Sequence, residues 1–157
     1  MTARNVAKLQ DVIDACAWHA AILGEDLEEH GDHRYDRQSV DHLDRGTLRL
    51  LDQMAYRFTK LQDTIGQQAL PGILELAEEP LPPETPFAQK LQQLERLDVI
   101  PSAEAWRELR ETRNAIAHEY PDQPEIRAAV RNRFVQDVGK LLTFWSQIER
   151  SYRSLAS

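Results

Sequence analysis

The feature that most constrains the fold of this chain is the spacing of its apolar residues, which recur every three or four positions over long stretches. Spacings of this kind place the apolar side chains on one face of an α-helix. No segment of four to eight residues alternates apolar and polar side chains as a strand does. We therefore predict an all-α protein. The first stretch with this pattern contains Val6, Leu9, Ile13, Cys16, Ala20, Leu23 and Leu27.

Glycine and proline residues predict where the first helices end. Gly31 follows the first apolar stripe, so we expect the first helix to stop there. A second long helix is predicted to begin near Ser39, with an interruption or a kink at Gly66 or at Pro71. Four of the eight prolines lie within residues 78–86, a segment that we expect to form a rigid, extended connector.

The second half of the chain predicts three further helices. Thr85 is expected to cap a short third helix with Pro86 in its first position, and Ser102 to cap a fourth. Pro121 is expected to end the fourth helix, because the residue before a proline avoids the helical region. A last amphipathic helix is predicted over 126–155. The chain should form one domain, an antiparallel bundle of four to five helices over residues 1–157.

Composition limits the function classes. The net charge of −7 argues against a general nucleic-acid coat, although a small local RNA site stays possible. The single cysteine, Cys16, excludes an intramolecular disulfide and a cysteine-based zinc site. His30 and His33 lie in the polar segment 30–38, which we interpret as a solvated loop without metal, since their spacing is not helical and no third ligand is evident.

No apolar run is long enough for a signal peptide or a membrane span. We therefore expect a soluble, cytoplasmic protein.

The densest group of chemically versatile side chains lies at the end of the fourth predicted helix. Arg113, Asn114, His118 and Tyr120 form the pattern Arg-x4-His-x-Tyr, with the amide beside the arginine. This pattern resembles the signature of the HEPN superfamily, and more narrowly that of HepT-type ribonuclease toxins. The stretch Tyr56–Asp63 is also similar to the second helix of those proteins.

The resemblance implies a fold, an activity and partners. HEPN domains are helical bundles that form homodimers, with the two motifs meeting in a cleft. HepT-type toxins are metal-independent endoribonucleases of type VII-like toxin–antitoxin systems, each paired with a cognate minimal nucleotidyltransferase antitoxin. That partner silences the toxin by transferring AMP to the motif tyrosine, which corresponds to Tyr120 here. The substrate would be RNA, and no cofactor is expected.

The chemistry of the motif side chains agrees with that activity. His118 has a pKa range suited to proton transfer near neutral pH. Arg113 offers a fork of donors to phosphate oxygens, and Asn114 could orient the histidine or the phosphate. Arg107 and Arg110 are further candidates for contacts with the substrate.

Helical geometry poses a difficulty for this site. Arg113 falls on the apolar side of the fourth helix, whereas Arg107, Arg110, Asn114 and His118 share the polar side. Arg113 and His118 are separated by roughly 140° around an ideal helix. Either the last turn unwinds before the following proline, or a second protomer completes the site. We expect a homodimer with Arg113 near its twofold axis.

Other interpretations stay open. The motif could be a structural cluster, in which Arg113 bridges to a carboxylate, His118 caps the end of the helix and Tyr120 packs beneath it. The protein could also be a non-catalytic HEPN module that binds a nucleotide or serves as an accessory subunit of a nucleotidyltransferase. A third hypothesis is a helical interaction protein without a catalytic site.

Overall fold

The computed structural model describes residues 1–157 and confirms the prediction of an all-α helical bundle. A π-helical turn (Ile65–Ala69) joins the second and third helical segments without a break, so six segments make five continuous helices. No helix is both long and apolar enough to cross a membrane. The segments are α1 (Ala3–His30), α2 (Arg45–Thr64), α3 (Leu70–Leu76), α4 (Phe87–Arg96), α5 (Ala103–Ile116) and α6 (Pro124–Ala156).

Side-chain hydrogen bonds show that α1 and α2 are antiparallel. Near the end of α1, Asp26 Oδ1 accepts a bond of 2.6 Å from Gln53 Nε2, in the first half of α2. Seven residues earlier in α1, the Nδ1 atom of His19 lies 3.0 Å from the guanidinium of Arg57, further along α2. Residue numbers therefore fall along one helix as they rise along the other.

The long helix α6 packs against both α1 and α5. Near its C-terminus, the Tyr152 hydroxyl donates to Gln10 Oε1 of α1 at 2.6 Å. Closer to its N-terminus, Asp137 accepts a hydrogen bond from the Thr112 hydroxyl of α5. These two contacts link α6 to α1 and to α5.

Four aromatic side chains join α2, α5 and α6 within a core to which α1, α3 and α4 also contribute. The rings of Phe58 and Phe134 pack edge to face, with centroids 5.3 Å apart. Trp106 of α5 contacts Phe144 of α6, with centroids 5.5 Å apart. All four side chains are buried, and burial of such large apolar surfaces is the main source of stability in a domain of this size. The candidate site lies beside α2 and α6, on the turn that follows α5.

The predicted start of the second helix near Ser39 is wrong. Residues Ser39–Asp41 form one 3-10 turn, and α2 begins only at Arg45. Asp44 is the N-cap, because its carboxylate accepts a hydrogen bond of 2.7 Å from the backbone N–H of Thr47. A carboxylate in this position satisfies a backbone donor that the helix itself leaves unpaired.

The predicted solvated loop over 30–38 is only partly exposed. His30 is the last residue of α1 and is buried, as is Tyr35. Their side chains share a hydrogen bond of 2.7 Å between His30 Nε2 and the Tyr35 hydroxyl. The amide of Asn132 in α6 bonds both backbone groups of Tyr35 at 2.8 Å, which holds the loop against the bundle. Gly31 ends α1 with a φ of 66°, as expected.

Gly66 and Pro71 do not interrupt the helix where α2 meets α3. Gly66 lies inside the π-helical turn, and Pro71 occupies the first turn of α3. Proline has no N–H to donate and its ring crowds the preceding turn. The wider π turn accommodates that residue while the helix continues.

The two predicted caps in the second half of the chain have different outcomes. Ser102 accepts a hydrogen bond of 2.9 Å from the N–H of Ala105, which confirms it as the cap of α5. Thr85 is not a cap: Pro86 takes the N-cap position of α4 without a side-chain bond. The N–H of Thr85 instead bonds the carbonyl of Pro82 at 2.9 Å, so the connector closes in a turn.

Candidate functional site

The motif lies where α5 stops and turns toward α6. The expectation that α5 continues to Pro121 is wrong, because the helix ends at Ile116. The N–H groups of Ala117 and His118 bond carbonyls three residues earlier, at 3.3 and 3.2 Å. Such tight bonds close the last turn of a helix. The last turn of α5 is therefore unwound before Pro121, which is one of the two arrangements that we predicted. His118 lies on an exposed turn.

An arginine of α6 holds this turn in place. Tyr120 and Asp122 both have positive φ, 51° and 59°, a conformation that costs energy for residues with a side chain. Arg127 Nη1 donates to the carbonyl of Tyr120 at 2.9 Å, while its Nη2 donates to Asp41 Oδ1 at 2.6 Å. The partly buried guanidinium thus connects the motif turn to the 3-10 turn before α2.

His118 and Tyr120 border a groove of about 440 Å³ between α2 and α6. Their rings meet edge to face, with centroids 5.9 Å apart. Arg127 and Arg131 of α6 supply positive charge to the groove, and Asp52 of α2 and Glu119 of the motif turn supply carboxylates. An exposed imidazole, a phenol and two guanidinium groups in one concave site can transfer protons and bind an anionic group.

Arg113 points to a different part of the bundle, where it pairs with Asp63 of α2. Its Nε and Nη2 atoms donate to the two carboxylate oxygens at 3.2 and 3.1 Å. Arg110 Nη1 donates to Asp63 Oδ1 at 3.1 Å. Partial burial pushes the pKa of Asp63 upward, but the hydrogen bonds from Arg113 and Arg110 outweigh it and hold that pKa below its usual value. Arg113 therefore does bridge to a carboxylate.

Within one chain, the structure divides the sequence-predicted residues into two groups. His118 and Tyr120 share the groove, whereas neither Arg113 nor Asn114 borders it. Arg113 is partly buried, as its position on the apolar side of the helix predicted, and Asn114 is exposed. The two groups lie on adjoining turns of α5 and of the loop after it, but they reach different parts of α2: Arg113 pairs with Asp63, whereas the His118 groove includes Asp52.

Arg107 and Arg110 border a second pocket, formed by α2, α4 and α5. Arg107 is paired with Glu104 at 3.3 Å, and both side chains are well exposed. Arg110 was expected on the polar side of the helix, but its guanidinium reaches across to Asp63. A long flexible side chain can cross to a neighbouring helix in this way, which a helical projection does not capture.

Four charged residues of these two sites were not predicted from the sequence: Asp52, Asp63, Arg127 and Arg131. A weak signal existed for Asp63, because it ends the stretch of α2 that resembles HepT-type proteins. No local pattern distinguishes Arg127 or Arg131 from the other arginines of α6. Their role follows from the direction in which α6 packs across the motif turn.

The His and Cys residues do not form a metal site. No group of three or more His, Cys, Asp or Glu side chains is placed to hold a metal ion. His30 bonds Tyr35 instead, and Cys16 is fully buried, which raises the pKa of its thiol to about 12.

Comparisons with models of known protein families, with curated proteins and with solved structures give no match for this chain. Any functional conclusion therefore depends on the chemistry and geometry of its own residues.

Proposed function

We propose that this protein is the toxin of a toxin–antitoxin pair, a homodimeric, metal-independent endoribonuclease similar to the HepT type that acts in the cytoplasm. The observation that carries the proposal is the exposed turn on which His118 faces a groove shared with Tyr120, Arg127 and Arg131. The spacing of the motif and the concave surface beside its histidine, with the guanidinium groups of Arg127 and Arg131, are independent features. Both support the same activity.

Cleavage at this site requires a base, an acid and a cation. The imidazole of His118 takes the proton of a ribose 2′-hydroxyl, whose oxygen attacks the adjacent phosphorus. The bond from phosphorus to the 5′-oxygen breaks, and that oxygen takes a proton from an imidazolium, which in a homodimer is the second copy of His118. The products are a 2′,3′-cyclic phosphate and a 5′-hydroxyl. Arg127 and Arg131 stabilise the charge of the phosphorane.

Arg113 keeps donors for a phosphate despite its ion pair. Two of its N–H groups bond Asp63, which leaves three of the five that a guanidinium carries. The carboxylate holds the group in one orientation, so little side-chain freedom is lost when a phosphate binds. A twofold interface near the end of α5 would bring Arg113 of one protomer toward the His118 groove of its partner. Asn114, exposed on the same helix, would orient the bound phosphate or the histidine.

Tyr120 is the proposed site of silencing. It borders the same groove as His118, so an AMP group transferred to its hydroxyl by a cognate minimal nucleotidyltransferase would place negative charge where RNA phosphate must bind. The modification would also fill part of the groove. Both effects oppose substrate binding without changing the fold.

A second candidate is a non-catalytic, nucleotide-binding or accessory subunit of a nucleotidyltransferase. The ion pair of Arg113 with Asp63 favours it, because a guanidinium held by a carboxylate is also what a structural role requires. The chain carries a net charge of −7, and Glu119 and Asp122 flank the motif tyrosine. Negative charge at this position weakens the attraction of RNA.

Growth after induced expression of the chain alone separates the two candidates. Wild type is compared with His118→Ala and Arg113→Ala at matched soluble protein level, with His33→Ala as a control because His33 is exposed and outside the groove. Arrest by wild type and by the control, with normal growth for both motif variants, supports the toxin. Purified protein should then cleave RNA in excess EDTA and leave 2′,3′-cyclic phosphate ends.

Equal growth of all four strains, with a folded dimeric protein, would favour the accessory subunit. Cleavage that stops on addition of EDTA would contradict the metal-independent mechanism.

A further inference from the structure

A second pocket, of about 370 Å³, opens where α2 and the π-helical turn meet α4 and α5. Its walls include Gln62, Phe87, Trp106, Arg107 and Arg110, and none of its residues belongs to the His118 groove. A pocket of this volume is within the range of small-molecule sites. The catalytic proposal makes no use of Gln62 or of the aromatic pair.

The amide of Gln62 is the unusual group in this pocket. The residue is fully buried, yet neither Oε1 nor Nε2 has a hydrogen-bond partner in the chain. Buried amides in folded proteins are normally paired, because removal from water without a new bond is costly. No other residue of this protein has both of its side-chain polar atoms buried and unpaired. The donor and acceptor of this amide thus lie in the wall of the pocket, closed off from solvent and without a partner in the chain.

Two aromatic rings form the apolar wall. Phe87 is 39% exposed, and its ring meets that of Trp106 at an angle of 62°, with centroids 6.4 Å apart. The indole lies so close to the π-helical turn that a Cβ at Gly66 would be 2.9 Å from its Cζ2 atom. Glycine is therefore required where the indole approaches the backbone. Trp106 itself is buried, so Phe87 offers the accessible ring. An exposed aromatic ring binds planar groups by stacking or edge contact.

The rim of the pocket carries positive charge. Arg107 is exposed, and its partner Glu104 is an exposed surface carboxylate that contributes little. Arg110 uses one N–H toward Asp63 and keeps the others free for an anion. Guanidinium groups are well suited to phosphate oxygens, which they bind through paired donors.

We propose that this pocket binds a nucleotide. The base lies against the exposed ring of Phe87. The amide of Gln62 turns out of the pocket wall and pairs with one donor–acceptor edge of the base, as glutamine does with adenine edges in DNA grooves. The phosphate lies on Arg107 and Arg110. A free mononucleotide and a nucleotide within an RNA strand carry this same chemistry. The proposal does not depend on ribonuclease activity, because no group of the cleavage site takes part.

The test uses the full chain, labelled with 15N. AMP, GMP, CMP, UMP and a short single-stranded RNA are titrated separately into the millimolar range, with adenosine as a ligand without phosphate. The indole N–H of Trp106 and the side-chain NH2 of Gln62 are the reporters. Shifts of both signals that saturate with a mononucleotide support a free-nucleotide site, and shifts with RNA alone support a base subsite for a strand. Adenosine should bind more weakly than AMP.

Substitutions test whether the NMR shifts arise from binding in this pocket. Gln62→Leu keeps the apolar volume and removes the amide, and it should weaken binding roughly tenfold to a hundredfold, the effect of one bidentate base contact. Arg107→Ala should weaken the binding of AMP but not of adenosine, whereas Arg150→Ala, exposed on α6 and outside the pocket, should change neither. His118→Ala should bind as wild type does, even if it abolishes cleavage.

Absence of shifts with every ligand would overturn the proposal. So would unchanged affinity in both Gln62→Leu and Arg107→Ala. Loss of binding in His118→Ala with no effect of Arg107→Ala would place the nucleotide in the other groove.

Discussion

Asp63 of α2 is joined to Arg113 of α5 by two hydrogen bonds of 3.1 and 3.2 Å, across fifty positions of sequence. This bidentate pair holds the motif arginine on the α2 side of the bundle while the motif histidine lies on the turn beyond α5. It fixes the orientation of the Arg113 guanidinium in the protein without a ligand. Its energetic role can be measured separately from activity.

Asp63→Asn should make stability less sensitive to acid. The hydrogen bonds from Arg113 and Arg110 lower the pKa of Asp63 in the folded protein below 3.8. Their stabilisation is therefore fully present above the unfolded pKa and is lost as pH falls through the folded value. Because the pair is partly exposed, we expect at most about 1 kcal/mol. Urea unfolding from neutral pH to about pH 2 measures it, and the difference between wild type and variant should shrink on acidification.

Asp52→Asn is the matched control for that change. Asp52 is exposed on the same helix and makes no ion pair. Its substitution should leave the pH profile of stability as in wild type. A constant difference between Asp63→Asn and wild type across the whole pH range would contradict the proposed linkage.

Arg127→Ala should loosen the turn that carries His118. The substitution removes bonds to the Tyr120 carbonyl and to Asp41, and the carbonyl bond steadies a residue with positive φ. We expect the free energy of unfolding to fall by about 1–3 kcal/mol. Hydrogen exchange at residues 117–123 should accelerate more than in the helices. Arg153→Ala removes only the ion pair with Glu149. It should change neither the free energy of unfolding nor the hydrogen exchange of the turn.

Gln62→Leu should raise stability, whereas Gln53→Leu should lower it. The buried amide of Gln62 has no partner in the chain, so leucine removes an unsatisfied group at a gain of about 1–3 kcal/mol. Gln53 donates to the buried carboxylate of Asp26, which leucine would leave without that bond. Thermal unfolding of both variants tests the opposite signs. A destabilised Gln62→Leu would mean that the amide serves the fold.

Substitution of Gly24 and of Gly66 by alanine should change the stability of the protein in opposite directions. At Gly24, inside α1, a new Cβ would meet nothing closer than 4.0 Å, so alanine should stabilise the helix by about 0.5–1 kcal/mol. At Gly66 the new atom would be 2.9 Å from the indole of Trp106, and moving a buried ring should cost about 1–3 kcal/mol. Denaturant unfolding compares them directly. Equal effects would contradict the close approach of Trp106 to the π turn.

Cys16 should resist thiol reagents in the folded state. It is fully buried and its pKa is raised to about 12, so almost no thiolate exists at neutral pH. An aromatic disulfide reagent should label it slowly in buffer and completely in denaturant. Fast labelling of native protein would show that α1 opens readily.

Several boundaries were predictable because their causes are local. Gly31 ends α1 through its own left-handed backbone, and Ser102 caps α5 by bonding a residue three positions away. The predicted start at Ser39 was wrong because the carboxylate of Asp44, five residues later, caps the helix through the backbone N–H of Thr47. α5 ends at Ile116 and not at the predicted Pro121, because Arg127 from another helix stabilises the unwound turn.

The amino-acid sequence by itself determined the helical class, the approximate helices and the presence of the motif, since periodicity and capping act over one or two turns. Only the tertiary structure decided that Arg113 turns to Asp63, that His118 shares a groove with Arg127, and that the amide of Gln62 is buried without a partner. These relations depend on how each helix is rotated and placed against its neighbours. That placement results from the packing of the whole core, which no short stretch of sequence encodes.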